Sequence, residues 1–307
     1  MRNITRRAMG SHFQLAKAIG APIIPPANST LNEAINNSDV VPFQPTVPTA
    51  AMEMPDDFNY QTDSINNKMQ YLAIGTGGHF ATHSLTNNRP RMGTKAALAR
   101  HTGFFEMFPF VIRALDNDLT TDQRQRYRLR KVIEINGVLY AAYFLRHVDL
   151  ASSTITQNIV KKDKGVINSQ PYKPTIKDLV PDDPVINGAN DGTYIQTLIG
   201  LDVTFDSQEA AWIREAAQLW FGDAEDGIIS EIAICSGVDK PITKRYPQTG
   251  NQVAQPVASA LKEAVAVQIA VSEAVYHPMT FSNGSVTEKI YIGTEDPLYG
   301  TNFSSNP

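Results

Sequence analysis

Arg126–Leu150, RYRLRKVIEINGVLYAAYFLRHVDL, decides the fold. Its centre, Asn136-Gly137, is the strongest short-range signal for a two-residue type I′ turn, so the flanking runs are read as one β-hairpin. That turn sets the register: Ile135 opposite Val138, Ile133 opposite Tyr140, Leu129 opposite Phe144. Side chains alternate along a strand, so these residues share one face, expected to be the buried one. Arg126, Arg128 and Arg130 then fall in a row on the other face with Val132 and Glu134, opposite His147, Leu145 and Tyr143.

Outward from the hairpin, period-2 runs recur. KMQYLAIG (68–75) reads as a strand ending in a glycine turn, and TYIQTLIGLDVTF (193–205) and GIISEIAICSGV (227–238) as further strands. EAVAVQIAVSEAV (263–275) sets Val265, Val267, Ile269 and Val271 against Ala264, Ala266, Gln268 and Ala270, which favours a strand despite the alanines. A second Asn-Gly, at 283–284, suggests a hairpin turn into SVTEKIYIGT. Helices are few. Asp206 or Ser207 caps QEAAWIREAAQLWFG, whose Trp212, Ala216, Leu219 and Trp220 share a face before Gly222 ends it. A short helix is expected from Lys95 to about Arg100, and Thr120 and Thr121 are cap residues before a charged turn.

The fold class expected is therefore α+β, predominantly antiparallel β with few helices and an extended N-terminal arm. Residues 1–57 are rich in Pro, Asn, Ser and Thr and hold only short apolar clusters: Ile23 and Ile24, Val40 and Val41, and Phe43. Such a stretch cannot close its own core, so it is read as an arm that orders on a neighbouring subunit, the alternative being a disordered tail. A β-rich lobe over 58–150 follows. The closely spaced Pro171, Pro174, Pro181 and Pro184 mark 151–192 as a turn-rich linker or excursion before an α+β lobe over 193–307.

Composition narrows the function classes. The 307 residues carry 27 basic and 31 acidic side chains, a net charge of -4, which removes the global attraction on which nonspecific nucleic-acid binders depend. One cysteine, Cys235, excludes an internal disulfide framework and a cysteine-based zinc site. No apolar run reaches the roughly 18 residues of a membrane span. The N-terminal segment makes a poor signal-peptide core, so synthesis in the cytoplasm is expected.

No catalytic motif stands out. Gly75, Gly77 and Gly78 follow a strand, but FATHSLTNNRPRMGT is polar and broken by Pro90, so the helix that would hold a pyrophosphate is missing. His79, His83 and His101 lack the glutamate of a helical zinc motif and read as surface or interface histidines. DNDLTTD (116–122) lacks the glycine and distal glutamate of a calcium loop and is expected to offset the arginines beside it. Catalytic, metal and cofactor residues are accordingly expected to be none; a carboxylate pair assembled only by the fold stays open, while Glu231, Glu263 and Glu273 read merely as acidic residues on expected elements. The arginine row has three readings: a nucleic-acid patch, a solvated strand face, or an interface with carboxylates on a neighbour. The interface set under the last reading is Arg126, Arg128 and Arg130 with Ile23, Ile24, Val40, Val41 and Phe43.

Several segments, YLAIGTGG (71–78), FFEMFPFVIRALDNDLTTDQRQRYRLRKVIEINGVLYAAYFLRHVDL (104–150), GIISEIAICSGVDK (227–240) and VTEKIYIGTEDPLYG (286–300), together resemble structural proteins of tailed-bacteriophage virions. More loosely they are similar to the wedge subunits of contractile-tail baseplates. The resemblance covers roughly residues 70–300 and implies a non-enzymatic virion component, held in several copies as a homo- or hetero-oligomer among other tail or baseplate proteins. Membrane and nucleic acid are not expected partners. A neck, collar or fibre-attachment role, or a receptor- or carbohydrate-binding one, is the alternative.

Overall fold

The computed structural model describes residues 3–36, 59–83, 90–151, 153–163, 166–179, 193–241, 261–279 and 285–297. In chain order the elements are β1 (Asn3–Arg6), α1 (Ala8–Ala18), α2 (Leu31–Asn36), α3 (Tyr60–Asp63), β2 (Lys68–Gly75), β3 (His79–His83), β4 (Pro90–Thr94), β5 (Met107–Phe108), β6 (Val111–Ala114) and α4 (Thr121–Arg124). They continue with β7 (Tyr127–Ile135), β8 (Val138–His147), β9 (Ile155–Asp163), β10 (Val166–Pro171), α5 (Ile176–Leu179), β11 (Thr193–Phe205), α6 (Ser207–Trp220), β12 (Ile228–Pro241), β13 (Lys262–Pro278) and β14 (Val286–Pro297). The pairings are antiparallel, so the α+β, predominantly β architecture is as expected.

Two compact units share the chain. The first comprises residues 1–150 and 204–287, the second 151–203 and 288–307. This departs from the expected plan: Ile155–Asp163 and Val166–Pro171 are strands where a linker is expected, and the chain re-enters the first unit at 204. Pro171 is compatible with a strand because it ends β10, which among the described residues pairs on one side only.

The first unit is built on a sheet of order β1-β13-β12-β2-β8-β6, with β5 added to β2 and β7 to β8. The hairpin register is the one expected, Ile135 opposite Val138 and Arg128 opposite Leu145. Asn136 and Gly137 both have positive φ, 52° and 78°, as a type I′ turn requires. One face of the sheet carries α6, whose Asp206 cap accepts from the Glu209 N–H at 2.8 Å. Trp212 and Trp220 pack from that helix on Tyr127, Phe108 and Phe144. The opposite side of β13 receives α1, where Gly10 is needed for close approach: a Cβ there would stand 2.3 Å from the Ala270 carbonyl oxygen.

The N-terminal stretch is not an extended arm over its described part. β1 pairs with β13, and Ile23 is buried with Phe13 and Ala16. Thr30 and Glu33 form a reciprocal cap on α2, each accepting from the other's backbone N–H at 3.2 and 3.0 Å. Asn32 then clamps β13 beside the positive-φ Ala266, donating to the Ala264 carbonyl and accepting from the Val267 N–H. Residues 37–58, with Val40, Val41 and Phe43, lie outside the described residues.

Two smaller expectations also fail. Residues 95–100 form no helix; Lys95 instead ties the segment to the glycine turn, its N–H donating to the Gly78 carbonyl and its amine to that of Gly77. β14 does not pair with β13 but joins the second unit's sheet, of order β10-β9-β11-β14. The Asn283-Gly284 dipeptide itself lies outside the described residues.

Candidate functional site

The arginine row expected on an open face lies largely inside the subunit. Arg128 and Arg130 are 6% and 4% exposed. Burying a guanidinium is tolerable only with a charge partner and hydrogen bonds, and each has both. Arg128 grips Asp239 with two bonds of 2.9 and 3.0 Å, and the Tyr71 hydroxyl donates to the same carboxylate at 2.7 Å. Arg130 donates to Asp118 at 2.9 and 3.2 Å, and the Tyr143 hydroxyl donates to Asp118 at 2.7 Å. Asp118 comes from the acidic run expected to offset the arginines.

A third set repeats the pattern on the other face of the hairpin. Arg146 pairs with Glu209, and the Tyr127 hydroxyl donates to Glu209 at 2.9 Å. The unit thus holds three arginine-carboxylate-tyrosine sets. Burial raises the Tyr71, Tyr127 and Tyr143 hydroxyl pKa values, so all three stay protonated donors. Burial also raises Asp239, but Arg128 and Tyr71 more than offset it and hold the carboxyl below its usual range.

Arg126 alone of the row is accessible. Its guanidinium stands 3.7 Å from Asp206 with both side chains about half exposed. Exposed pairs contribute little, so Arg126→Glu is expected to change the urea midpoint by less than about 1 kcal/mol equivalent. Of the apolar interface candidates, Ile23 is buried inside the unit and Ile24 is exposed. Ile23 packs with Phe13 and Ala16, whereas Arg128 and Arg130 are committed to Asp239 and Asp118.

The glycine turn has a packing role. A Cβ on Gly78 would lie 2.4 Å from Glu231 Cγ, and one on Gly75 2.6 Å from the Glu106 carbonyl oxygen. The turn leads into β3, not a helix, and wraps the buried Glu231, whose carboxylate accepts from the Phe105 N–H at 3.1 Å. Beside it a 520 Å³ hollow is bordered by Arg100, His101, Phe104 and Phe105. Among the described residues no group of three or more His, Cys, Asp or Glu side chains is placed to hold a metal. No described helix is long and apolar enough to cross a membrane.

A feature that sequence reasoning missed is a cleft of 630 Å³ in the first unit, where the end of β12 meets the residues preceding β2. Lys17, Lys68, Lys240 and Lys262 line it with His147, Asp63, Asp239 and Asn67. Lys240 pairs with Asp63 at 2.7 Å, and the Lys17 amine donates to the Ile65 carbonyl at 2.6 Å. Burial lowers the pKa of His147, which keeps the imidazole neutral at pH 7. The four lysines come from separate stretches of chain, so no local charge run announces them.

Comparison with known proteins gives one finding. A family model, described as a family of unknown function, matches residues 1–306. No curated protein and no solved structure matches the chain.

Proposed function

The chain belongs to that family, DUF7208, and from its own residues we propose that it is a non-enzymatic structural component of a bacteriophage tail. Within the tail, a baseplate protein of the wedge type fits best, present in multiple copies and positioning its neighbours. The observation that carries the assembly reading is the edge of the second unit's sheet. Among the described residues β10 pairs with β9 alone, and every residue from Val166 to Pro171 is exposed. Val166 and Ile167 are each 60% exposed, and the strand VINSQP carries no charge. Soluble chains blunt such edges with lysine, bulges or a covering element, because an open apolar edge offers unpaired N–H and C=O groups to a second strand. A subunit built to add a strand to its neighbour leaves this edge open.

The virion reading rests on the resemblance of the segments at 71–78, 104–150, 227–240 and 286–300. The commitment of Asp118, Glu209 and Asp239 to internal pairs also favours a structural role over a hydrolytic one for these carboxylates. Sedimentation velocity of the full chain is expected to show oligomers that Ile167→Lys shifts toward monomer; a monomer at all concentrations would count against assembly through this edge. Immunogold labelling of tailed particles whose genome encodes the chain is expected to mark the tail. Particles without label would remove the virion reading.

A further inference from the structure

The lysine cleft has no part in the assembly reading. We propose that it binds a small phosphorylated molecule that also carries hydroxyl or amino donors, the chemistry shared by nucleotides and sugar phosphates. Two independent observations converge there.

The first is charge. Among the described residues four lysines border the cleft against two carboxylates, and Asp239 is already held by Arg128 and Tyr71. Lys262 stands 3.9 Å from Asp239, at the limit of ion pairing, and is half exposed. Lys68 makes no ion pair with a described residue. The excess positive charge lies within one concave surface in a chain whose net charge is -4. Ammonium groups on flexible stems suit a phosphate as point charges. The volume suits a ligand of nucleotide size.

The second is Asn67. It lines the cleft, is 0% exposed, and neither its amide nitrogen nor its amide oxygen has a hydrogen-bond partner among the described residues. A buried amide with both ends unsatisfied costs stability, and natural chains rarely keep one without a use. Its nitrogen needs an acceptor and its oxygen a donor. A bare oxyanion supplies only the first; a phosphorylated molecule with hydroxyl or amino groups supplies both. A modest opening of the cleft floor at Asn67 would bring the amide to the ligand. A single hollow of 630 Å³ also favours a small molecule over a polynucleotide, whose backbone needs an extended basic track.

The test is calorimetric titration of the full chain at low ionic strength with ATP, ribose 5-phosphate, inorganic pyrophosphate and an oligo-dT strand. ATP or ribose 5-phosphate is expected to bind saturably and more tightly than pyrophosphate. Lys68→Ala and Lys262→Ala, both on exposed side chains, are each expected to weaken it roughly ten-fold. Asn67→Leu is expected to raise the melting temperature of the unliganded chain and to abolish the further rise that ATP produces, a combination a purely structural asparagine would not give. No saturable binding at millimolar ligand, affinities untouched by both lysine changes, pyrophosphate binding as tightly as ATP and ribose 5-phosphate, or oligo-dT binding more tightly than both would each overturn the proposal. A lowered melting temperature with unchanged ATP binding in Asn67→Leu would do the same.

Discussion

Arg146→Met is expected to lower the unfolding free energy by about 3–5 kcal/mol, read from the urea midpoint. The side chain donates to Glu209 and, at 2.9 Å, to the Thr204 carbonyl, and its guanidinium lies 5.2 Å from the centre of the Phe205 ring and 5.7 Å from that of Phe110. Met fills much of the same apolar space, so the loss measures the charge more than the volume. What it leaves behind is the costly part. Glu209 is 1% exposed, and burial already raises its carboxyl pKa against the pull of Arg146 and Tyr127. Without the cation, the carboxylate must take up a proton or drive the site open. Two consequences separate this account from simple loss of packing. The deficit should shrink toward pH 5, where the carboxyl protonates readily. The double variant Arg146→Met, Glu209→Leu should recover most of it, because a buried pair is near neutral against an apolar replacement while a lone buried charge is not. A single variant within about 1 kcal/mol of the parent would mean that water reaches Glu209 and that the pair is not a dry one.

The same pair shows what the sequence could and could not reveal. Asn136-Gly137 dictated the hairpin and its register because a type I′ turn is a local event, and the pairing of Arg128 with Leu145 and Arg130 with Tyr143 followed by counting. Counting gives the side on which an arginine lies, not whether something covers that side. The carboxylates that do so stand 12, 63 and 111 positions away, at Asp118, Glu209 and Asp239, and no spacing rule links them to the hairpin. The N-terminal stretch misled for a different reason. Its composition is that of a tail, yet Thr30-x-x-Glu33 is a capping box that marks α2 and was legible. Four-residue β1 carries no period long enough to read, and its pairing with β13 is a tertiary fact. In the second unit the prolines suggested irregular chain, whereas Pro171 merely ends an edge strand. Nothing local marks the cleft, since Asn67 is an ordinary asparagine until the fold buries it.

Between pH 5 and 8 the stability of the chain is expected to fall, and the cause is a second class of buried carboxyl, one that accepts from backbone N–H groups. Glu231 is pushed up to about 7 by burial, against the N–H groups of Glu106 and Phe105 and the charge of Arg7. Glu263, which accepts from the Arg130 N–H at 2.9 Å, is also pushed up to about 7 by burial. Each folded value exceeds the usual range near 4.5, so the folded state binds more protons than the unfolded one across that interval. The favourable contribution is complete below the unfolded value and is lost as pH rises through the folded one. A shift of this size corresponds to about 3 kcal/mol per group as an upper figure. Asp239 acts in the opposite sense: held below its usual range, it contributes above that range and loses the contribution as pH falls through its folded value. For these groups the two slopes place the stability maximum between the usual Asp and Glu values of 3.8 and 4.5. Glu231→Gln and Glu263→Gln keep a carbonyl acceptor for the backbone N–H groups but cannot ionise. Each is expected to flatten part of the decline and to equal or exceed the parent at pH 8 while gaining nothing at pH 5, measured by urea unfolding across the range. A parent stability that is level or rising from pH 5 to 8 would show that both carboxyls ionise at ordinary values, and the wrapping of Glu231 by the glycine turn would then be a matter of packing alone.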